Sequence, residues 1–233
     1  MNLLVIPARC GSKRIPKKNI KMFKGKPIIE WVIKEALKSN NVFEKVIVST
    51  DSEEIKDISI NAGAEVPFLR PKYLSDDHTS TAKVIIHAIN WFKHKECLFS
   101  KVCCLYPTAT FIKAHDLIKA SNDLDKSKKD IFIFSATSFA YPIQRAFYLD
   151  QKGLSKMFNP ELYNTRTQDL ISAYHDAGQF YIASSNTWST KSDVLHNSKP
   201  YIIQRWRAQD IDNQEDWEMA ELIFECDRKK NTY

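Results

Sequence analysis

The sequence predicts an α/β protein with a mainly parallel sheet and helices on both faces. Three observations carry this. Short apolar runs of strand length alternate with longer stretches of helical period. The 233 residues are 43% hydrophobic, with 13 Phe, 9 Tyr and 5 Trp, enough to bury a substantial core. Only 5 Gly and 9 Pro punctuate the chain, which argues against disorder. The length suits one large domain spanning 1–233.

The elements follow in order. "NLLVIPA" is a short apolar run ending in Pro and reads as a buried strand. A basic loop comes next. "KPIIEWVIKEALKS" carries Ile28, Ile29, Trp31, Val32, Ile33, Ala36 and Leu37 on one helical face. Its Pro27 suits a first-turn position. "KVIVST" is a second strand, and "SEEIKDISINAGA" a helix closing on Gly63. "TSTAKVIIHAINWFKH" is a helix with a Thr/Ser start. "KVCCLYPT" and "DIFIFSAT" are strands separated by the helix "AHDLIKASNDLDK". Residues 138–175 then lose any clean period, and "YPIQRAFYLDQKG" suggests a hairpin standing off the sheet. "GQFYIAS" and "YIIQRW" return to a strand pattern. "NQEDWEMAELIFECDRKK" is a closing helix, acidic at its start and basic at its end, as the helix dipole favours. Glu215 and Asp216 are expected to cap it. Asp51, after the second strand, can either reach a ligand edge or cap the helix that follows.

Charge is concentrated. Eight Lys or Arg lie between Arg9 and Lys26 with no acid among them, while the remainder carries 26 bases against 28 acids. A local excess points to a compact anion, since a nucleic-acid binder more often spreads its bases along a face. The loop follows the first strand, where open α/β sheets bind ligands. Gly11 lets backbone N–H groups approach an anion, Ser12 adds a hydroxyl, and Arg9, Lys13, Arg14 and Lys18 can neutralise a polyphosphate. Pro16 stiffens the loop. Neither GxxxxGK[ST] nor GxGxxG is present, so a Walker loop and dinucleotide binding are unsupported. A merely solvated basic loop is the plain alternative.

At the other end, "QDIDNQED" places Asp210 and Asp212 two apart, on one side of an extended backbone. Adjacent carboxylates suit a hard cation such as Mg²⁺, and Asp in a surface turn is the plain alternative. Five Cys form no CxxC pair, and Cys103 and Cys104 read as buried strand residues. An odd count without a framework fits a reducing compartment. The start of the chain shows no basic and apolar leader, and no stretch reaches the ~18 apolar residues of a membrane span. A cytoplasmic protein is expected. His87 and His94 have no HExxH pattern and read as structural.

"IPARCGSKRIPKKNI" resembles the first motif of the CMP-sialic acid synthetases, the acylneuraminate cytidylyltransferases, with Cys10 where Gly is frequent. "VSTDSEEI", "FLRPKYLSDDHTST", "YPTAT" and "QDIDNQEDW" extend the resemblance over most of the chain. It implies a Rossmann-like nucleotidyltransferase fold and a reaction of CTP with an acidic nine-carbon sugar to give the CMP-sugar and pyrophosphate. It makes Arg9, Ser12, Lys13, Arg14, Lys18 and Asn19 the triphosphate and catalytic loop. Arg70, Thr79, Thr81 and Tyr106 fall in the cytidine segment, although neuraminic enzymes often carry Gln where Tyr106 stands. Asp210 and Asp212 become ligands for Mg²⁺, with Mn²⁺ as the other candidate. Residues 138–175 become a dimerisation arm, so a homodimer is implied, with no nucleic acid and no membrane as partner.

On the sugar side, "YPIQRAF", "RTQDL" and "AYHDAGQFYIA" resemble the pseudaminic acid enzymes more than the neuraminic ones. Thr167 separates Arg166 from Gln168, where neuraminic enzymes tend to read Arg-Gln-Asp-Leu. Gln144, Gln168, Gln179 and Phe180 offer amide-matching and apolar contacts, and Arg145 or Arg166 suits the sugar carboxylate. Asp169, His175 and Asp176 complete the implied sugar set. N-acetylneuraminic and legionaminic acids remain alternative substrates. A nucleic-acid module using the basic loop and a nucleotide binder without catalysis remain the readings of other classes.

Overall fold

In a computed structural model of the chain, residues 1–127, 130–191 and 193–230 are described. Among these residues ten strands and six α-helices follow one another. They are β1 (Asn2–Pro7), β2 (Met22–Phe23), β3 (Lys26–Pro27), α1 (Ile28–Leu37), β4 (Lys45–Ser49) and α2 (Glu53–Asn61). Next come α3 (Thr81–Lys93), β5 (Lys101–Leu105), α4 (Ala114–Lys126), β6 (Ile133–Ser138), β7 (Phe147–Leu149) and β8 (Ser155–Met157). The chain closes with β9 (Tyr174–Ser184), α5 (Ser185–Thr190), β10 (Lys199–Ile202) and α6 (Gln214–Lys230).

Six strands form the central sheet in the order β10-β6-β9-β5-β1-β4. Five share one direction, and β9 runs antiparallel between β5 and β6. Strands β1 and β5 are buried on both faces, which is why they read as unbroken apolar runs. Leu4 and Ile6 of β1 face α1, α2 and α4 in one core layer. Leu3 and Val5 face α3 and α5 in the other. The expected layering of helices on both faces is therefore present. A third cluster joins Trp217, Ala220 and Phe224 of α6 to Ile15, Phe23, Ile28 and Phe111. It seats α6 beneath the basic loop.

Element edges differ from the sequence reading in places. Pro27 is the N-cap of α1, one residue before the helix proper. β9 begins at Tyr174, ahead of the apolar run, because its first residues pair with Ala136, Thr137 and Ser138. "YIIQRW" is only half strand, and its end turns into a 3₁₀ segment, Arg205–Arg207. The hairpin exists, but Asp150–Gly153 is its turn, so its second strand lies beyond the segment read as the hairpin. Its three β7 residues, Phe147, Tyr148 and Leu149, are all exposed. No helix among the described residues is long and apolar enough to cross a membrane.

Candidate active site

The basic loop leaves β1 at the carboxyl end of the parallel strands. Its backbone is pinned at two points. The Cys10 N–H donates to Asp51 Oδ1 at 2.9 Å, and the buried Asn19 side chain donates to the Arg9 carbonyl at 2.9 Å. Asp51 thus holds the loop, and Ser52 caps α2 instead. Lys17 takes a left-handed conformation, φ 51°, at the turn into a 3₁₀ segment, Lys18–Ile20. A Cβ at Gly11 would meet nothing within 4 Å, so the protein itself does not demand glycine there.

The eight bases divide into two sets. Lys21 lies over the Trp217 ring at 4.5 Å and donates to Gln214, Lys24 pairs with Glu225, and Lys26 pairs with Glu30. Lys17 pairs with Glu54. These four fasten the loop to α6, α1 and α2. The other four turn inward. Arg9 and Lys13 both contact Asp77, whose carboxyl they hold down at about 2. Arg14 reaches Asp212 at 2.8 Å, and Lys18 lies 3.5 Å from the same carboxylate. Lys18 Nζ also donates to the Ile211 carbonyl at 2.6 Å.

These four bases line a cavity of about 480 Å³ together with Ser12, Asn19, Arg70, Thr79, Thr81, Tyr106, Thr108 and Asp212. Every predicted loop and cytidine-segment residue is therefore in one place. Arg70 is buried and donates to Ser75 Oγ at 3.2 Å. Burial lowers its pKa, and Asp51 at 3.9 Å offsets part of that. The Tyr106 hydroxyl shares a hydrogen bond with Thr81 at 2.9 Å, and burial pushes its pKa up to about 12. Asp76 accepts from the N–H and the hydroxyl of Thr79, fixing the turn into α3.

A second cavity, about 370 Å³, is lined by Lys18, Tyr106, Thr108, Asp176, Gly178, Tyr181 and Asp210. Lys18, Tyr106 and Thr108 belong to both, so the two cavities meet at those residues. The far wall comes from a wide bulge in β9. Between the pairs Phe134–Tyr181 and Ala136–Asp176, β9 carries four residues against Ser135 alone. Gly178 has φ +60°, and the Ser135 hydroxyl accepts from the Gln179 and Phe180 N–H groups. The bulge turns Asp176 toward the cavity, where the Tyr181 hydroxyl and the Gly178 N–H donate to it.

Asp210 faces the second cavity and Asp212 the first. Burial raises the Asp210 pKa, and the Asp212 charge raises it further. Among the described residues no three Asp, Glu, His or Cys converge as a metal cage. Two unequal carboxylates between two cavities still fit Mg²⁺, which keeps several waters and is commonly shared with substrate phosphates. Asp216 accepts from the Asp212 and Asn213 N–H groups, the capping role expected of it.

The sugar-side predictions are split. Asp176 lines the second cavity, and the others line neither of the two. Gln179 is buried, and its amide donates to the Arg207 carbonyl, so it points away from open space; Phe180 is a core residue. Gln144 donates to the Ile171 carbonyl, Arg145 to the Thr165 carbonyl, and Arg166 pairs with Asp169 at 2.9 Å. These residues and Gln168 lie on the exposed arm, outside both cavities. His175 rests against Phe139, with its Nδ1 on the Asp176 carbonyl. Sequence reasoning passed over Asp77, Thr108 and Tyr181. Asp77 and Thr108 lay inside quoted motifs, and Tyr181 showed only as one aromatic in a strand.

The model of the cytidylyltransferase family matches residues 3–231. The chain belongs to the cytidylyltransferase family. Among its cytidylyltransferase relatives, a pseudaminic acid cytidylyltransferase of Campylobacter jejuni is 41% identical over 98% of both chains. A CMP-N,N'-diacetyllegionaminic acid synthase of Legionella pneumophila is 32% identical over 97% of both. A bifunctional Helicobacter pylori protein, named for pseudaminic acid cytidylyltransferase and a hydrolase, is 34% identical over 90% of this chain and 40% of its own length. In fold, the chain is similar to a CMP:2-keto-3-deoxy-manno-octonic acid synthetase solved with CTP. The TM-score is 0.71 at 15% identity, covering 97% of this chain and 99% of the other.

Proposed function

We propose that this cytidylyltransferase activates pseudaminic acid with CTP, giving CMP-pseudaminic acid and pyrophosphate. The observation that carries the reading is the junction of two cavities at Lys18, Tyr106 and Thr108, one lined by four loop bases and Arg70 and the other by Asp176 and Asp210. A polyphosphate fits the first and a polyhydroxylated acceptor the second. The 41% identity to the C. jejuni pseudaminic acid enzyme supports that particular sugar.

In this reading Arg9, Ser12, Lys13 and Arg14 hold the β- and γ-phosphates, and Arg70, Thr79, Thr81 and Tyr106 border the cytidine. Lys18 stands where the α-phosphate meets the acceptor. The sugar's anomeric hydroxyl attacks the α-phosphorus in line, its proton leaves, and pyrophosphate departs into the basic loop. Fixed cations neutralise charge as it builds on the leaving group, so catalysis rests on positioning and electrostatics. Asp210 and Asp212 would hold Mg²⁺, with Mn²⁺ as substitute. When bound, the ion would offset α-phosphate charge and favour ionisation of the hydroxyl.

The arm supports a homodimer. Phe147, Leu149, Leu154, Phe158, Tyr163 and Ile171 are each more than half exposed, more apolar surface than a lone subunit ordinarily shows. Docked on a second copy, Arg145, Arg166 and Gln168 would approach that copy's sugar site. All five cysteines are free, which fits a reducing compartment such as the cytoplasm. The nucleic-acid reading has less support, because Arg9, Lys13, Arg14 and Lys18 turn into a pocket rather than line a face.

Pyrophosphate release with four nucleotides against pseudaminic, legionaminic and N-acetylneuraminic acids tests the proposal. CTP with pseudaminic acid should give the highest kcat/KM. Equal values, or a preference for another sugar, overturn the substrate. No release with any pair overturns the activity.

A further inference from the structure

Asp210 and Asp212 lie on an irregular stretch between the 3₁₀ segment Arg205–Arg207 and α6. An irregular chain does not hold two carboxylates in place unless both ends are anchored. The downstream end is accounted for. Asp216 accepts from the Asp212 and Asn213 N–H groups, and Lys18 binds the Ile211 carbonyl. The upstream end rests on Arg207, a residue that neither cavity contains.

Arg207 is buried, 7% exposed, and its guanidinium makes four hydrogen bonds. Nε and Nη2 donate to the Phe111 carbonyl at 3.0 and 2.9 Å. Nη1 donates to Asp116 Oδ1 at 3.2 Å, and Nη2 also contacts Oδ2. Asp116, 1% exposed, accepts further from the Tyr201 hydroxyl and the Lys113 N–H. His115 Nε2 lies 3.2 Å from it. The Arg207 carbonyl accepts from the Gln179 amide. Three segments thus meet at one residue. Phe111 ends the loop carrying Tyr106 and Thr108, Gln179 sits on the β9 bulge carrying Asp176, and Arg207 itself leads into Asp210. Each of those segments supplies a wall of the second cavity.

We infer that Arg207, held by Asp116, is a positioning residue that fixes the acid pair against the Tyr106–Thr108 loop and the Asp176 bulge. The inference rests on the reading of Asp210 and Asp212 as metal ligands. The planar fork of arginine is needed because it serves a carbonyl and a carboxylate together, which an ammonium cannot do in one geometry. Removing either partner leaves a buried charge exposed to no solvent, so the pair moves rather than relaxes in place.

The test uses Arg207→Lys and Asp116→Asn in the full chain. Mn²⁺ binding to the CTP complex is followed by electron paramagnetic resonance, alongside metal-free CTP binding, kcat and Tm, all at a temperature where each variant is folded. Losing a group that orients ligands typically costs about 10- to 100-fold in metal affinity or activity. Mn²⁺ affinity and kcat should fall by that order in either variant, with metal-free CTP affinity within about twofold of wild type. A lowered Tm with unchanged Mn²⁺ affinity and kcat would reduce Arg207 to a fold-holding role and overturn the inference. CTP affinity falling in step with Mn²⁺ would also overturn it, because the phosphate cavity would then be what moves. If Arg207→Lys does not fold, Asp116→Asn alone decides, since it keeps the shape of the side chain and turns one of its two acceptors for Arg207 into an amide donor. Failure of the underlying reading shows separately, as a wild-type protein that binds no Mn²⁺ with CTP.

Discussion

Replacing Lys18 by Met tests whether the junction of the two cavities is the reaction centre. The methylene stem is kept and the ammonium is lost. Lys18 Nζ makes a 2.6 Å hydrogen bond to the Ile211 carbonyl, a charged donor on a neutral acceptor, worth about 1.5–3 kcal/mol. Its 3.5 Å approach to Asp212 involves side chains 22% and 36% exposed and adds no more than about 1 kcal/mol. At roughly 2–4 °C per kcal/mol for a protein of this size, Tm should fall by ~3–16 °C. The catalytic loss should be separate from this. A cation aimed at charge that develops in the transition state contributes about 2–4 kcal/mol, so kcat/KM should drop by roughly 30- to 1000-fold at 20 °C, where the variant stays folded. Differential scanning fluorimetry gives the first number and pyrophosphate release the second. A lowered Tm with kcat/KM within threefold of wild type would refute the placement of Lys18 at the reacting phosphate.

Other perturbations probe the remaining parts. Asp210→Asn with Asp212→Asn should abolish metal-dependent turnover while leaving metal-free CTP binding little changed by calorimetry; full activity in the double variant puts the metal elsewhere. Asp77 contacts both Arg9 and Lys13 and offsets their charge, so Asp77→Asn should bind inorganic tripolyphosphate a few-fold more tightly, and weaker binding would mean that Asp77 assists the anion instead. Phe147→Asp with Leu149→Lys on the arm should give a monomer by sedimentation, with activity on the sugar lost and CTP binding kept. A dimer unaffected by both changes would move the interface off the hairpin.

The sheet was readable because β1, β4, β5 and β6 are short apolar runs separated by helices of clear period. Nothing in "GQFYIAS" disclosed that β9 runs antiparallel, because direction depends on how the excursion returns and not on the strand's own residues. The loop was readable for a similar local reason. A dense run of like charge after a buried strand has few uses, and its cavity-facing members are where the motif put them. What did not show was the division of labour among the eight bases. Lys21, Lys24 and Lys26 look like Lys13 and Lys18 in sequence, and only the fold sets Gln214 and Glu225 of α6 and Glu30 of α1 opposite the first three. Arg207 was invisible for the same reason. One arginine in "QRWRAQD" carries no sign that Phe111 and Asp116, distant in the chain, will close around it. Of the sugar-side residues, Asp176 reaches the second cavity through a bulge in β9 that its own residues did not disclose, while Arg145, Arg166 and Gln168 lie on the exposed arm.

The antiparallel strand β9 also decides when this protein can fold. β1, β4 and β5 form a parallel trio from the first half of the chain, but β6 has neighbours only in β9 and β10. As the polypeptide leaves the ribosome, the trio stands with one open edge until residue 184 has emerged, some eighty residues after β5. The edge that β9 covers is long-range in sequence, so the closing step should be slow and rate-limiting. Until then β5 is paired with β1 on one side only, and its Val102–Leu105 run leaves an open apolar edge, the kind of surface that chaperones bind and that aggregates when they are scarce. A fragment ending before Tyr174 should therefore be insoluble, although it contains the whole basic loop.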